Sequence, residues 1–204
     1  MNQSEYLADP CGASSLPLWK AERLKLPEGI QILRDDRFAG LPAGARDERY
    51  FRLIHRMEAI PEAWLPEGFA PVSADAEAFA QHINACYEQE GVTAAGLLAY
   101  REHPVYRPGL WIAAAEEPTG ALAATGIAEL DGRVGEGILE WIQVSPEHRR
   151  KGLGRWLVCE LLRRLQGQAR FVTVSGRLDS PSSPCALYRS CGFEGAVVWH
   201  VVQS

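Results

Sequence analysis

Apolar and polar positions change period several times along this chain, and each change marks the edge of an element. Between residues 153 and 165, Leu153, Trp156, Leu157, Leu161, Leu162 and Leu165 recur at three- and four-residue spacing, with Arg155, Glu160, Arg163 and Arg164 between them. That pattern predicts an amphipathic helix laid on a sheet. A sparser version over 75–88 puts Phe79, Ile83 and Tyr87 on one helical face, and a shorter helix is expected over 94–102. Elsewhere the period falls toward two. The runs "GLWIAAAE" (109–116), "GALAATGIAELD" (120–131) and "GILEWIQV" (137–144) are short and bounded by Gly, Pro and Asp, which predicts an antiparallel meander ending near Val144. "RFVTV" from Arg170 and "GAVVWHVV" from Gly195 read as further strands. Between them Ser183, Pro184 and Gly192 bracket a short helix as N-cap, first helical residue and the position past its end.

Toward the N-terminus, "IQILRD" from Ile30 and "RYFRLIHRM" from Arg49 alternate well enough to be strands. They are followed by "AIPEAWLPEGFAP", in which Pro61, Pro66, Gly68 and Pro71 interrupt regular structure. This seam divides the chain into an N-terminal β-containing extension, 1–68, and a main domain, 69–204. The two early strands either form a small module or add to the main sheet. The order of elements gives an α+β sandwich: a mixed, mainly antiparallel sheet with helices on both faces.

Composition narrows the function classes. With 204 residues and 47% hydrophobic residues the chain can bury a sizeable core. A net charge of -5 and a pI near 5.6 argue against general binding to nucleic acid or to an anionic membrane. "MNQSEYLADP" lacks a basic start followed by an apolar run, so a cytoplasmic location is expected, with no membrane partner. The five cysteines, Cys11, Cys86, Cys159, Cys185 and Cys191, lack the close pairing of zinc or dithiol sites and read as small buried hydrophobes, so no metal is expected. His55, His103, His148 and His200 have no partner in the pattern and are expected to be structural or surface groups.

Against this acidic background, "PEHRRKGLGRW" (146–156) stands out. From 148 to 170 there are seven basic residues, Arg149, Arg150, Lys151, Arg155, Arg163, Arg164 and Arg170, against one acid, Glu160. A helix start leaves unpaired N–H groups and partial positive charge, so it attracts anions. Glycine costs a helix about 1 kcal/mol relative to alanine. Two glycines there suggest a bulky anion approaching the amides closely; a solvated helix entry is the other reading. GxxxxGK[ST] is absent, and Leu157 replaces the third glycine of GxGxxG.

Arg149-Arg150-Lys151-Gly152-Leu153-Gly154, after a strand and "V-x-P" and opening a helix, resembles the R/Q-x-x-G-x-G/A signature of the GCN5-related N-acetyltransferase (GNAT) superfamily. A second match, "ALYRSCGF" (186–193), is similar to that family's L-Y-x-x-x-G-F segment. The resemblance covers roughly 69–202. It implies an acetyl-coenzyme A-dependent transferase whose sheet splays at the cofactor. Ile142, Gln143 and Val144 would pair with the pantetheine arm. Arg149, Arg150, Lys151, Gly152, Leu153, Gly154 and Arg155 would surround the diphosphate. Tyr188 stands in the position of the acid that protonates the leaving thiolate. Pro181 replaces the asparagine that many members carry, and Ser182 or Ser183 is a substitute.

An alkylammonium titrates near 10, so a base must take its proton before attack. Glu140, expected from the two-residue period on the face of Ile138, Ile142 and Val144, is the candidate base or a substrate anchor, ahead of Glu136 and Glu129. Trp64, Trp111, Trp141 and Trp199 are candidate pocket walls for an amine acceptor. A homodimer is compatible with this reading. The alternative is a non-catalytic acyl-coenzyme A sensor whose acceptor site the N-terminal segment closes.

Overall fold

A computed structural model describes residues 1–87, 91–180, 182 and 184–204. In chain order the elements are α1 (Gln3–Ala8), α2 (Leu18–Ala21), β1 (Ile30–Arg34), β2 (Arg46–His55), β3 (Phe69–Val72), α3 (Ala76–Cys86), α4 (Ala94–Tyr100), β4 (Trp111–Glu116), β5 (Leu122–Asp131), β6 (Glu136–Val144), α5 (Leu153–Leu165), β7 (Phe171–Arg177), α6 (Pro184–Ser190) and β8 (Glu194–Gln203). The strands form one eight-stranded sheet in the order β1-β8-β2-β7-β6-β5-β4-β3. Every pairing is antiparallel except β6 with β7, as the mixed sheet expected from sequence requires. Of the two placements open for the early strands, the chain takes the second: β2 lies between β7 and β8, and β1 closes the edge on β8.

Both faces are covered. The apolar stripe of α5, with Leu153, Leu157, Leu161 and Leu165 fully buried, packs on Ala124, Ala128, Leu139, Val172 and Val174. On the opposite face Phe79, Ile83 and Leu97 of α3 and α4 cover Ala113 and Ile127. Beside them Tyr6 and Leu18 cover Ile54 and Phe171, and Trp19 covers Ile138. The N-terminal segment therefore acts as a helical cover for the central strands. A buried charge fixes it there. The Glu136 carboxylate accepts from Tyr6 Oη at 2.6 Å, Thr173 Oγ1 at 2.6 Å, Arg52 Nη2 at 3.3 Å and the Leu18 amide at 3.3 Å. Buried charges persist only when paired and hydrogen-bonded in this way.

Some expectations need correcting. β3 occupies part of the seam that reads as irregular; Pro71 is tolerated because β3 is an edge strand paired only to β4. α3 ends at Cys86, and Tyr87 is an extended C-cap rather than a third residue on the helical face. The helix expected over 94–102 stops at Tyr100. Glu88, the Ser183 cap and Pro181 lie outside the described residues. Pro184 opens α6, and Gly192, with φ +93°, follows its end. All five cysteines are free thiols, with Cys11, Cys159 and Cys191 buried.

Candidate active site

The site is built where β6 and β7 part. The two strands pair only from Glu136↔Phe171 to Leu139↔Val174. Beyond that point β6 remains on β5 as far as Val144↔Ala124, while β7 follows β2 to Arg177↔Tyr50. A wedge opens between them, leaving one side of the 140–144 backbone without a strand partner. Tyr87 Oη donates to the Ile142 carbonyl across 3.2 Å, so a side chain from the end of α3 serves one of these groups.

At the mouth of the wedge the chain makes a short 3-10 turn, Pro146–His148, before α5. Arg150 (φ +65°) and Gly152 (φ +93°) both adopt the left-handed region, and together they fold the chain back under the helix start. Among the described residues, no acceptor meets the amides of Arg150, Lys151, Gly152, Leu153, Gly154 and Arg155. These donors stand at the positive end of the 13-residue α5. Gly152 is the N-cap, outside the helix, and its φ alone favours glycine. At Gly154 a Cβ would come within 3.1 Å of Leu187 Cδ2, a tight contact that requires that side chain to give by a few tenths of an ångström. The geometry thus gives Gly152, through its φ, a reason separate from anion approach.

The basic cluster is smaller than its sequence count. Arg149, Arg150 and Lys151 are exposed at the turn, with Arg149 Nε on the Val144 carbonyl at 3.2 Å. Arg155 Nη1 is tied to the Ser190 carbonyl at 2.5 Å. Arg163 and Arg164, about 15 Å along the helix, pair with Glu160, and the side chain of Arg170 packs against Gly135.

Tyr188 is buried on α6 between the rings of Phe51 and Phe193, with centroids 6.1 and 5.7 Å away. Burial, then the neighbouring Tyr87 phenol and Cys191 thiol, push its pKa far above the usual phenol value, which keeps its proton in place. Ser182 is exposed in the loop before α6, its hydroxyl 2.9 Å from that of Ser180.

Glu140 departs from the strand-face expectation. Ile127 pairs with Trp141 and Ala128 with Leu139, leaving Glu140 as the extra residue of a β-bulge. The bulge reverses the alternation. Ile142 and Val144 join the α5 side with Leu139, whereas Glu140 shares the opposite face with Ile138. There it meets the N-terminal cover: Lys20 Nζ lies 2.6 Å from Glu140 Oε2. The same ammonium lies 5.4 Å from the Trp19 ring and 5.9 Å from the Tyr100 ring. Trp19 Nε1 in turn donates to Glu129 Oε2 at 3.0 Å. Burial, then the charge of Glu140, push Glu129 up to about 8.

Glu136 belongs to the Arg52 network and holds the fold. The four tryptophans do not share one wall: Trp64 is 81% exposed, Trp199 bonds the Cys11 carbonyl, and Trp111 and Trp141 pack around α3. Trp19 is the indole that lies 5.4 Å from the ammonium paired with Glu140. His55, His148 and His200 are buried structural groups, as expected, and His103 packs between Trp19 and Tyr100. A fifth histidine, His82 on α3, was not singled out by the pattern. It is buried between Thr125 Oγ1 (2.8 Å) and Ser145 Oγ (2.9 Å), and burial lowers its pKa. A polar residue next to Ile83 on the buried stripe was its only signal. Lys20 and Tyr87 left no signal of their contacts, because their partners lie on distant strands.

Residues 107–195 match the family model of the GNAT acetyltransferase domain. A search of the curated proteins finds no match. Among solved structures the chain is similar to a GCN5-related N-acetyltransferase from Sphaerobacter thermophilus, at 19% identity and a TM-score of 0.67, over 79% of this chain and 53% of that one. It is also similar to the ribosomal-protein-S18-alanine N-acetyltransferase from Escherichia coli (21% identity, TM-score 0.51, 66% of this chain and 92% of that one). A third is a GCN5-related N-acetyltransferase from Kribbella flavida (20%, 0.56, 85% and 67%). This chain spans about half the length of the Sphaerobacter protein.

Proposed function

We propose that this chain, of which residues 107–195 match the GNAT acetyltransferase domain, is an N-acetyltransferase that transfers an acetyl group from acetyl-coenzyme A to a primary amine of a small molecule or peptide. The observation that carries the reading is the row of amides from Arg150 to Arg155 without acceptors among the described residues, at the mouth of a wedge where β6 has no strand partner beyond Leu139 on its β7 side. Such donors fit a diphosphate, and the β6 edge, served there by the side chains of Tyr87 and Arg149 and by no strand, fits an amide-bearing arm that would displace them. Arg149, Arg150, Lys151 and the 152–155 backbone would hold the diphosphate. Ile142, Gln143 and Val144 would hold the arm through their main chain, since the Gln143 side chain is engaged by Thr125. Ser182 is a further candidate contact. Acetyl-coenzyme A supplies the activated thioester when bound.

The chain's own groups then manage protons. Tyr188 is the donor for a departing thiolate by its place in the motif; burial keeps it protonated and also weakens it as an acid, so transfer follows only as charge develops on the sulfur. Glu140, at the closed end of the wedge, is the acceptor for the ammonium proton or the anchor for the ammonium itself. Calorimetry with coenzyme A tests the first claim. Binding is expected for the native chain and is abolished by Gly154→Glu, which sets a carboxylate against the donors. Thiol release from acetyl-coenzyme A across an amine panel tests the second.

The Lys20–Glu140 pair favours one other reading, an acyl-coenzyme A sensor in which the N-terminal segment closes the acceptor side. Binding without thiol release for any amine would select it.

A further inference from the structure

Lys20 is an unusual choice at its position. The chain carries three lysines, at 20, 25 and 151, among 21 cationic residues; arginine fills the other positions, including the buried pair with Glu136. Arginine grips a carboxylate with two parallel bonds and keeps its charge, whereas lysine can surrender a proton and become a nucleophile. Lys25 and Lys151 are exposed. Among the described residues Lys20 alone of the three has its amine against a carboxylate, 2.6 Å from Glu140, with its side chain 23% exposed. The placement of that carboxylate is specific. Glu140 is the bulged residue, and β6 loses its β7 partner immediately after Leu139. The ammonium is therefore held at the closed end of the wedge, about four strand steps or ~13 Å from the Val144 end where the amide turn begins. A carboxylate and two aromatic rings hold a primary amine as its ammonium. Although burial lowers the Lys20 pKa, Glu140 and Glu129 raise it above the usual lysine value. This amine is therefore bound as an acceptor is and must give a proton to Glu140 before it attacks; the chain supplies it from its own α2.

We propose that Lys20 is an acceptor within the chain itself, a site of self-acylation by an acyl-coenzyme A thioester bound along β6. The inference rests on the acetyltransferase reading above. Glu140 takes one proton from the ammonium, and the freed amine attacks the acyl carbon. The C–N bond forms as the C–S bond breaks; the thiolate leaves as coenzyme A with a proton from Tyr188, the second proton of the amine nitrogen restores the Tyr188 phenol, and Glu140 releases its own proton to solvent. The product is an uncharged ε-amide. Its formation removes the cation now paired with Glu140, so the carboxylate becomes free to meet an external ammonium. A chain acylated in this way has an open acceptor side.

The test uses the full chain with acetyl-coenzyme A and no added amine, followed by peptide mass spectrometry at the three lysines and by thiol titration. One acetyl group is expected at Lys20, with one thiol released per chain and a rate at least about tenfold above those of Lys25 and Lys151, because the amine is already positioned. The rate is expected to climb with pH, since only the neutral amine attacks. Lys20→Arg should abolish the modification. Glu140→Gln should slow it by about 10²-fold while calorimetric affinity for coenzyme A is unchanged. If coenzyme A binds and external amines are acetylated while Lys20 stays unmodified, or if all three lysines react alike, self-acylation is overturned and the acetyltransferase reading stands. Absence of coenzyme A binding overturns both.

Discussion

Tyr188, the proposed proton donor, is also a packing residue. Its ring is a wall of the core, against Phe51 and Phe193, and the same burial keeps its hydroxyl protonated. Tyr188→Phe preserves the ring and removes the hydroxyl. Turnover with an amine acceptor should fall by about 10²-fold, with coenzyme A affinity unchanged by calorimetry; unchanged turnover would remove Tyr188 from the donor role. Legibility at this scale was uneven. Gly152, Gly154 and Tyr188 stand in short local patterns, so sequence spacing alone locates them. Lys20 precedes Glu140 by 120 residues, and no local pattern links them. A single extra residue in β6 turned Ile142 and Val144 away from the face that Glu140 shares with Ile138, where that contact occurs.

Elements were legible where their hydrophobic period is long. The α5 stripe and the β4–β6 meander follow directly from it, as does the short α6 between Pro184 and Gly192. β3 was not, because its four residues include a proline and need only one neighbour. The bulge was not, because an inserted residue changes no composition. The wedge itself follows from chain geometry: a parallel neighbour and an antiparallel neighbour on the two sides of β6 diverge once the bulge adds twist. What holds the closed end is the Glu136 network, which clamps β6, β7 and β2 to α1 and α2. Removing one partner strands a buried guanidinium. Glu136→Gln should therefore cost about 3–5 kcal/mol in urea unfolding, and a loss below about 1 kcal/mol would mean water reaches Arg52.

At the scale of the whole molecule, the outer edge of the sheet carries its own charge lock. His200 of β8 bonds Asp47 of β2 at 2.8 Å and Asp35, just after β1, at 3.0 Å, with its ring stacked on Phe38. Burial alone would lower its pKa, but the hydrogen bonds and charges of the two aspartates outweigh it and raise the value above 6.5. A pKa raised in the folded state contributes stability fully below the unfolded value, and that stability is lost as pH rises through the folded one. Thermal unfolding followed from pH 6 upward, toward about 9, should therefore show a declining midpoint that His200→Gln flattens by a few degrees; parallel curves would exclude the lock. The strand order has a further consequence. β8 fits between β1 and β2, although some 140 residues separate it from the end of β2. During synthesis at the ribosome those early strands wait with exposed ladders until the closing segment emerges, so nascent chains should depend on chaperones and on translation speed more than the compact product suggests.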